Sequence, residues 1–167
     1  FSDIVGFTSR SETLEPTEVA RFLSGFFSRA SDAVFQYGGT LDKFIGDAVM
    51  VFFGAPIPQA DHAERAVRAA VLLHHRMQAW NRERVEAGLD EIKIRTAINS
   101  GVVVVGDIGS ESRVDYTILG NTVNVTARLE ELVAKPGQIV IGPATFKAVE
   151  NLFPVEHLGD IALRGLQ

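Results

Sequence analysis

Leu41 to Phe53 reads LDKFIGDAVMVFF, two apolar arms around Gly46-Asp47. Arms of β-branched and aromatic residues about a Gly/Asp pair predict a hairpin. Gly46 can supply the positive φ that such a turn needs, and Asp tolerates it. A hairpin makes its two strands antiparallel, so a chain organised around this stretch is not a purely parallel, doubly wound sheet. Lys43 sits inside the first arm, two residues from Ile45. An ammonium is costly in a half-buried strand unless it reaches a partner. Lys43 and the carboxylate of Asp47 at the tip form either one surface ion pair or part of a site.

On both sides of the hairpin the pattern is helical. Phe1–Val5 (FSDIV) predicts a strand that Gly6-Phe7-Thr8 breaks. Pro16 suits the first turn of a helix. Val19, Phe22, Leu23, Phe26, Phe27, Ala30 and Val34 then recur at helical spacing until Gly38-Gly39. Past the hairpin, Asp61 and Glu64 make a capping-box pattern. The helix they open carries Ala63, Ala66, Val67, Ala70, Val71, His74 and Met77 on one face and stops at Gly88. Ile92–Ile98 (IKIRTAI) alternates as a half-buried strand, and Val102–Val105 reads as a second apolar strand. Asp107–Glu111 reads as a loop and Arg113–Leu119 as a further strand. A helix from Gly120-Asn121 has Val125, Leu129 and Leu132 on one face. Gln138–Ile141 is a short strand, Pro143–Val149 a short helix, and Phe153–Leu163 extended chain. The predicted class is α+β, with helices packed on a mixed, mostly antiparallel sheet.

Composition narrows the chemistry. The 167 residues carry a net charge of −5 with no run of like charges, which argues against a nucleic-acid or anionic-membrane surface. The absence of cysteine excludes disulfides and thiolate metal sites. No apolar run approaches the ~18 residues of a membrane span, and no signal peptide is visible. A cytoplasmic domain without direct membrane contact is expected. Phe1 opens in an apolar stretch and Gln167 follows a Leu-Arg-Gly turn, so residues 1–167 read as one domain of a longer protein, soluble or membrane-attached.

Asp3 interrupts the first apolar strand and Asp47 caps the hairpin. Each alone suits an ordinary capping or turn role. Brought together they would repel and raise each other's pKa, which a divalent cation relieves. Hard oxygen donors without cysteine or suitably spaced histidine favour Mg²⁺ or Mn²⁺, and paired ions of this kind serve phosphoryl chemistry. Backbone amides at Gly6, Phe7 and Thr8, between strand and helix, suit phosphate. Asn124 and Arg128, four residues apart, share a helix face. Their side chains suit a ribose oxygen and a phosphoryl oxygen.

Three stretches, FSDIVGFT (Phe1–Thr8), KFIGDAVM (Lys43–Met50) and DYTILGNTVNVTAR (Asp115–Arg128), together resemble the catalytic domain of class III nucleotidyl cyclases in order and spacing. The resemblance spans essentially the whole chain. It implies a ferredoxin-like palm and a head-to-tail homodimer with shared active sites. It also implies conversion of ATP to cyclic AMP and pyrophosphate with two Mg²⁺ or Mn²⁺ ions per site. Asp3, Asp47 and the Ile4 carbonyl would hold the ions. Asn124 and Arg128 would stabilise ribose and transition state, Lys43 and Thr117 would read the base, and Arg164 would contact the terminal phosphates. The Lys43/Thr117 combination resembles the subclass that includes bicarbonate-responsive adenylyl cyclases, which raises bicarbonate stimulation as a hypothesis.

Hydrogen-bond polarity supports adenine independently. Lys43 can only donate, which suits adenine N1, and the Thr117 hydroxyl can accept from N6. Guanine presents a donor at N1. A mismatched buried polar group costs ~1–3 kcal/mol, so ATP is expected to be preferred by roughly one to two orders of magnitude. The alternatives are a guanylyl cyclase, opposed by Lys43, and a catalytically silent dimerising module. No Gly-Gly-Asp-Glu-Phe sequence supports a diguanylate cyclase.

Overall fold

A computed structural model describes residues 1–163; Arg164 lies outside them. The strand β1 (Ser2–Ile4) leads through the short helix α1 (Phe7–Ser11) into α2 (Pro16–Gln36). Then come the hairpin β2 (Thr40–Ile45) and β3 (Ala48–Phe52), α3 (His62–Glu86) and β4 (Ile94–Ile98). A second hairpin, β5 (Val104–Gly109) and β6 (Val114–Leu119), precedes α4 (Asn121–Leu132), β7 (Ile139–Ile141) and α5 (Pro143–Val149).

The main sheet has the order β2-β3-β1-β4-β7. Its first four strands, with α2 and α3 as crossovers, make the ferredoxin-like β-α-β-β-α-β arrangement. All neighbours are antiparallel except β4 and β7. The three residues of β1 lie at the centre: Ser2 pairs with Val49 on one side and Thr96 on the other, and Asp3 lies opposite Arg95. The expected α+β class and mostly antiparallel sheet are what the structure shows.

The apolar stripes of α2 and α3 cover one face. Phe22, Phe26, Ala30, Ala33, Leu73 and Met77 close on Ile4, Val49, Ile92 and Ile94, all buried. The helices approach closely at Gly25, where an added Cβ would fall 2.5 Å from the Trp80 ring. Gly46 takes φ +60° at the hairpin tip, as the turn chemistry predicts.

Several local expectations differ from the structure. The Asp61/Glu64 capping box does not form. Asp61 Oδ1 instead accepts from Arg65 Nε and Glu64 Oε1 from Arg68 Nε, each one turn on. A reciprocal box is found on α2, where the Glu15 N–H donates to Glu18. The second apolar strand starts at Val104, not Val102, and runs through Asp107–Gly109, the stretch read as a loop, because β6 pairs with it over its full length. The apolarity of this stretch does not reflect burial: Val102 is 93% exposed and Val104 67%. On α4 the buried residues are Thr126 and Glu130, Val125 and Leu129 are half-buried, and Leu132 is exposed. Residues 154–163 form no strand. Among the described residues no helix is long and apolar enough to cross a membrane.

A polar chain runs through the core beside β1. His74 Nε2 lies 2.9 Å from Thr96 Oγ1, which lies 2.9 Å from Ser2 Oγ. Burial, with a smaller contribution from His75, lowers the His74 pKa from 6.5 to about 4. Between those values the unfolded chain binds a proton that the folded chain refuses, so stability is lost as pH falls through this window. Taking the protein from about pH 7 to about pH 5 is expected to cost about 2 kcal/mol through His74. Denaturant midpoints at both pH values, for the wild type and His74→Gln, measure this; the same pH response in both proteins would refute it.

Candidate active site

The central strand sets the acidic end of the site. The turn at Gly46-Asp47 folds back onto β1, where the Ile4 N–H donates to Asp47 Oδ2 at 3.2 Å. This brings the expected Asp3–Ile4–Asp47 group together. Across the sheet Arg95 grips Asp3 with two bonds, Nε to Oδ1 at 2.9 Å and Nη2 to Oδ2 at 3.1 Å. Glu130 of α4 is close by, its Oε1 2.6 Å from Arg95 Nε. The single Nε proton is directed to Asp3, so Glu130 Oε1 is near the positive charge yet has no hydrogen bond among the described residues.

The electrostatics follow from this crowding. Burial is the main force raising the Asp47 carboxyl above its ordinary range. The charge of Asp3 adds to it, while backbone hydrogen bonds and Arg95 offset part of the shift. Burial first, then the hydrogen bond and charge of Asp3, raise Glu130 to about 7. The surplus of negative charge is what a cation would relieve. No three acidic or histidine side chains form a metal cage among the described residues. The donors are two carboxylates and the Ile4 carbonyl. That set fits Mg²⁺ or Mn²⁺, hard cations commonly held by one or two carboxylates together with substrate phosphates and water.

Gly6 takes φ +69° and opens α1, with open space where a Cβ would stand. Gly6 and Thr8 are exposed. The Phe7 ring turns inward and stacks on Phe22 at 6.3 Å, so its contribution to a phosphate cradle is its backbone.

The second half of the site is a cavity of about 390 Å³ whose lining includes Lys43, Met50, Asp115, Thr117 and Asn124. Neither Asp3 nor Asp47 is among its described lining residues. Lys43 and Asp47 are therefore not a local pair. The Lys43 ammonium stands 3.6 Å from Asp42 Oδ1. Thr117, buried at 6% exposure, donates its hydroxyl proton to Asp42 Oδ2 at 2.5 Å. Asn124 and Arg128 are both exposed on α4, and Arg128 is held loosely by Glu131 at 3.6 Å. A larger cavity of about 830 Å³ lies between α2, α3 and the sheet and contains none of these candidates. Its alanine- and valine-rich walls offer little to a charged substrate.

Three residues of this site were not read from the sequence: Asp42, Arg95 and Glu130. Arg95 had a usable signal, a cation within the alternating strand IKIRTAI, like Lys43 in its own arm. Asp42 and Glu130 look like ordinary surface positions until the strand irregularity and the helix orientation are known.

The sequence and the fold have counterparts among known proteins. The family model described as "Adenylate and Guanylate cyclase catalytic domain" matches residues 1–167. The chain is 39% identical over 166 residues to adenylate cyclase 1 of Rhizobium meliloti, covering 99% of this chain and 25% of that protein. It thus spans about a quarter of that relative's length. It superposes on the adenylyl cyclase CyaB of P. aeruginosa with a TM-score of 0.93 at 36% identity, covering 99% of this chain and 85% of that one. Against the guanylyl cyclase Cya2 the TM-score is also 0.93, at 38% identity, covering 99% and 84%. With its palm-like sheet, paired aspartates and motif order, the chain belongs to the class III adenylate and guanylate cyclase catalytic domain family.

Proposed function

We propose that residues 1–167 form one catalytic domain, an adenylyl cyclase that converts ATP to 3′,5′-cyclic AMP and pyrophosphate in a homodimer. One observation carries the choice of nucleotide: Lys43 and Thr117 line the same cavity as Asn124. Overall likeness does not decide it, since an adenylyl and a guanylyl cyclase superpose equally well on this chain. The cavity chemistry supports adenine. The Lys43 ammonium donates to adenine N1 and the Thr117 oxygen accepts from N6.

The two halves of the site point to a dimer. The base cavity and the acidic cluster do not share a described lining residue from the Asp3–Asp47 pair. A second copy would bring the acidic cluster of one protomer to the cavity of the other, and two-fold symmetry would make two such sites. The exposed valines of the β5–β6 hairpin, Val104, Val105 and Val114, suit an apolar contact at this interface.

Divalent cations, when bound, would supply the Lewis acidity that lowers the pKa of the ribose 3′-hydroxyl and neutralises the triphosphate. Asp3, Asp47 and the Ile4 carbonyl would hold them. The amides of Gly6, Phe7 and Thr8 face phosphate, and Arg164 is proposed for the terminal phosphates. Asn124 orients the ribose. The 3′-hydroxyl gives its proton to water or a substrate phosphate oxygen, the 3′-oxygen bonds to the α-phosphorus in line as the bond to pyrophosphate breaks, and Arg128 stabilises the charge that builds on the α-phosphoryl oxygens. Bicarbonate stimulation belongs to this reading on the strength of the Lys43/Thr117 pair alone.

The direct test is incubation with Mn²⁺ or Mg²⁺ and ATP or GTP, with and without bicarbonate at constant pH, followed by measurement of cyclic nucleotide. Cyclic AMP is expected from ATP; its absence with both metals from a verified dimer would refute the activity. Lys43→Glu reverses the polarity presented to the base. It is expected to lower kcat/KM for ATP at least tenfold relative to GTP, and an unchanged ratio would remove Lys43 from base reading. Asp47→Ala and Arg128→Ala should each be inactive alone. Mixed, they should recover part of the wild-type rate, because a heterodimer keeps one intact site; proven heterodimers without activity would exclude a shared site.

A further inference from the structure

Asp42 is a buried carboxylate with no place in the reading above. Its side chain is 1% exposed. One oxygen, Oδ2, accepts the Thr117 hydroxyl proton. The other, Oδ1, has no hydrogen-bond partner among the described residues, and the Lys43 ammonium stands just beyond bonding range at 3.6 Å. A buried carboxylate left half-satisfied calls for an explanation.

The backbone explains how Asp42 reaches both groups. In a regular strand Asp42 and Lys43 would point to opposite faces. Here the register shifts: Leu41 pairs with Val51, but Lys43 pairs with Met50, so Asp42 is an extra residue in β2. Leu41 and Val51 pack against the helices. Met50 and Lys43 line the base cavity. A bulge places two successive residues opposite one partner and re-aims their side chains, so Asp42 joins Lys43 on the cavity side, directly behind Thr117.

We propose that Asp42 is a positioning residue that fixes which nucleobase the site accepts. This rests on the adenylyl cyclase reading and supplies the step that it lacks. A threonine hydroxyl alone is ambivalent: it can accept from adenine N6 or rotate and donate to guanine O6. A carboxylate cannot donate. With its one proton committed to Asp42 Oδ2, Thr117 presents only lone pairs to the cavity. It accepts from N6 of adenine and opposes O6 of guanine. The free Oδ1 draws the Lys43 ammonium toward the same edge of the base.

The test uses the whole chain as purified dimer with Mn²⁺, and reads equilibrium binding of 3′-deoxy-ATP and 3′-deoxy-GTP, which lack the attacking hydroxyl. The wild type is expected to bind the adenine analogue more tightly. In Asp42→Asn, whose amide can donate to Thr117 and free its proton, the preference is expected to fall about tenfold. Asp42→Ser, smaller and without a carboxylate, should narrow it as well. Binding of tripolyphosphate should be unchanged in both, which separates base reading from loss of fold. In a Thr117→Val background, Asp42→Asn should change the preference no further, because the two residues act as one unit. A wild-type adenine preference that survives in both Asp42 variants would overturn the role of Asp42 and leave the adenylyl reading standing. A wild-type guanine preference would overturn both. An adenine preference that Asp42→Asn narrows, in a protein that makes no cyclic AMP, would support Asp42 and refute only the cyclase activity.

Discussion

The two-bonded ion pair between Asp3 and Arg95 is the contact on which the acidic half of the site depends. It spans adjacent strands at the sheet's centre, where β1 is only three residues long. A strand so short has little of its own to hold it. Pairing on both edges and the guanidinium across the sheet fix its side chains. Arg95 also supplies the positive charge that lets Asp3, Asp47 and Glu130 lie close together, and hydrogen bonding to Asp3 keeps that charge in place. Without it, three carboxyl groups would meet in a half-buried space with only backbone amides to steady them. The pair is therefore a structural tie between β1, β4 and α4, and it holds in place one of the two carboxylates proposed to bind cations.

The base cavity is assembled on a different principle. Its polar residues come from β2, β6 and α4, elements far apart in sequence, and the contact that joins two of them is the Thr117–Asp42 hydrogen bond. The acidic half is shaped by excess charge, the base half by hydrogen-bond direction. That contrast suits the proposed roles: a triphosphate with its ions is recognised mainly by charge, a nucleobase by the polarity of its edges.

Much of this was legible in the sequence, and the limits have physical causes. The hairpin at Gly46-Asp47, the long helical stripes and the antiparallel bias were carried by periodicity and turn chemistry, which are local. The strand limits around Val102 and Asp107 were not, because apolarity marks a buried strand and an exposed arm alike. On α4, Val125 and Leu129 are half-buried as their spacing suggests, but Leu132 is exposed and Glu130 takes the inward position. The Arg95 charge opposite offsets part of the cost of an inward glutamate. Arg128 and Asn124 share one exposed face of α4, as their spacing suggests. Asp42 is hidden for the same kind of reason: alternation sets Asp42 and Lys43 on opposite faces, and only the register shift brings both to the cavity side.

That register shift also separates two properties that the hairpin would otherwise bind together. Leu41 keeps Val51 and Lys43 keeps Met50 on either side of the extra residue. The pairs from Lys43 to Ala48 and the turn that carries Asp47 need nothing from position 42. A hairpin one residue shorter has the same partners available from Lys43 to the tip that carries Asp47. On the proposed reading, nucleotide choice beside the irregularity and ion binding at Asp47 sit apart on one ribbon, so an insertion or deletion at position 42 would alter the first and leave the strand pairs that carry the second.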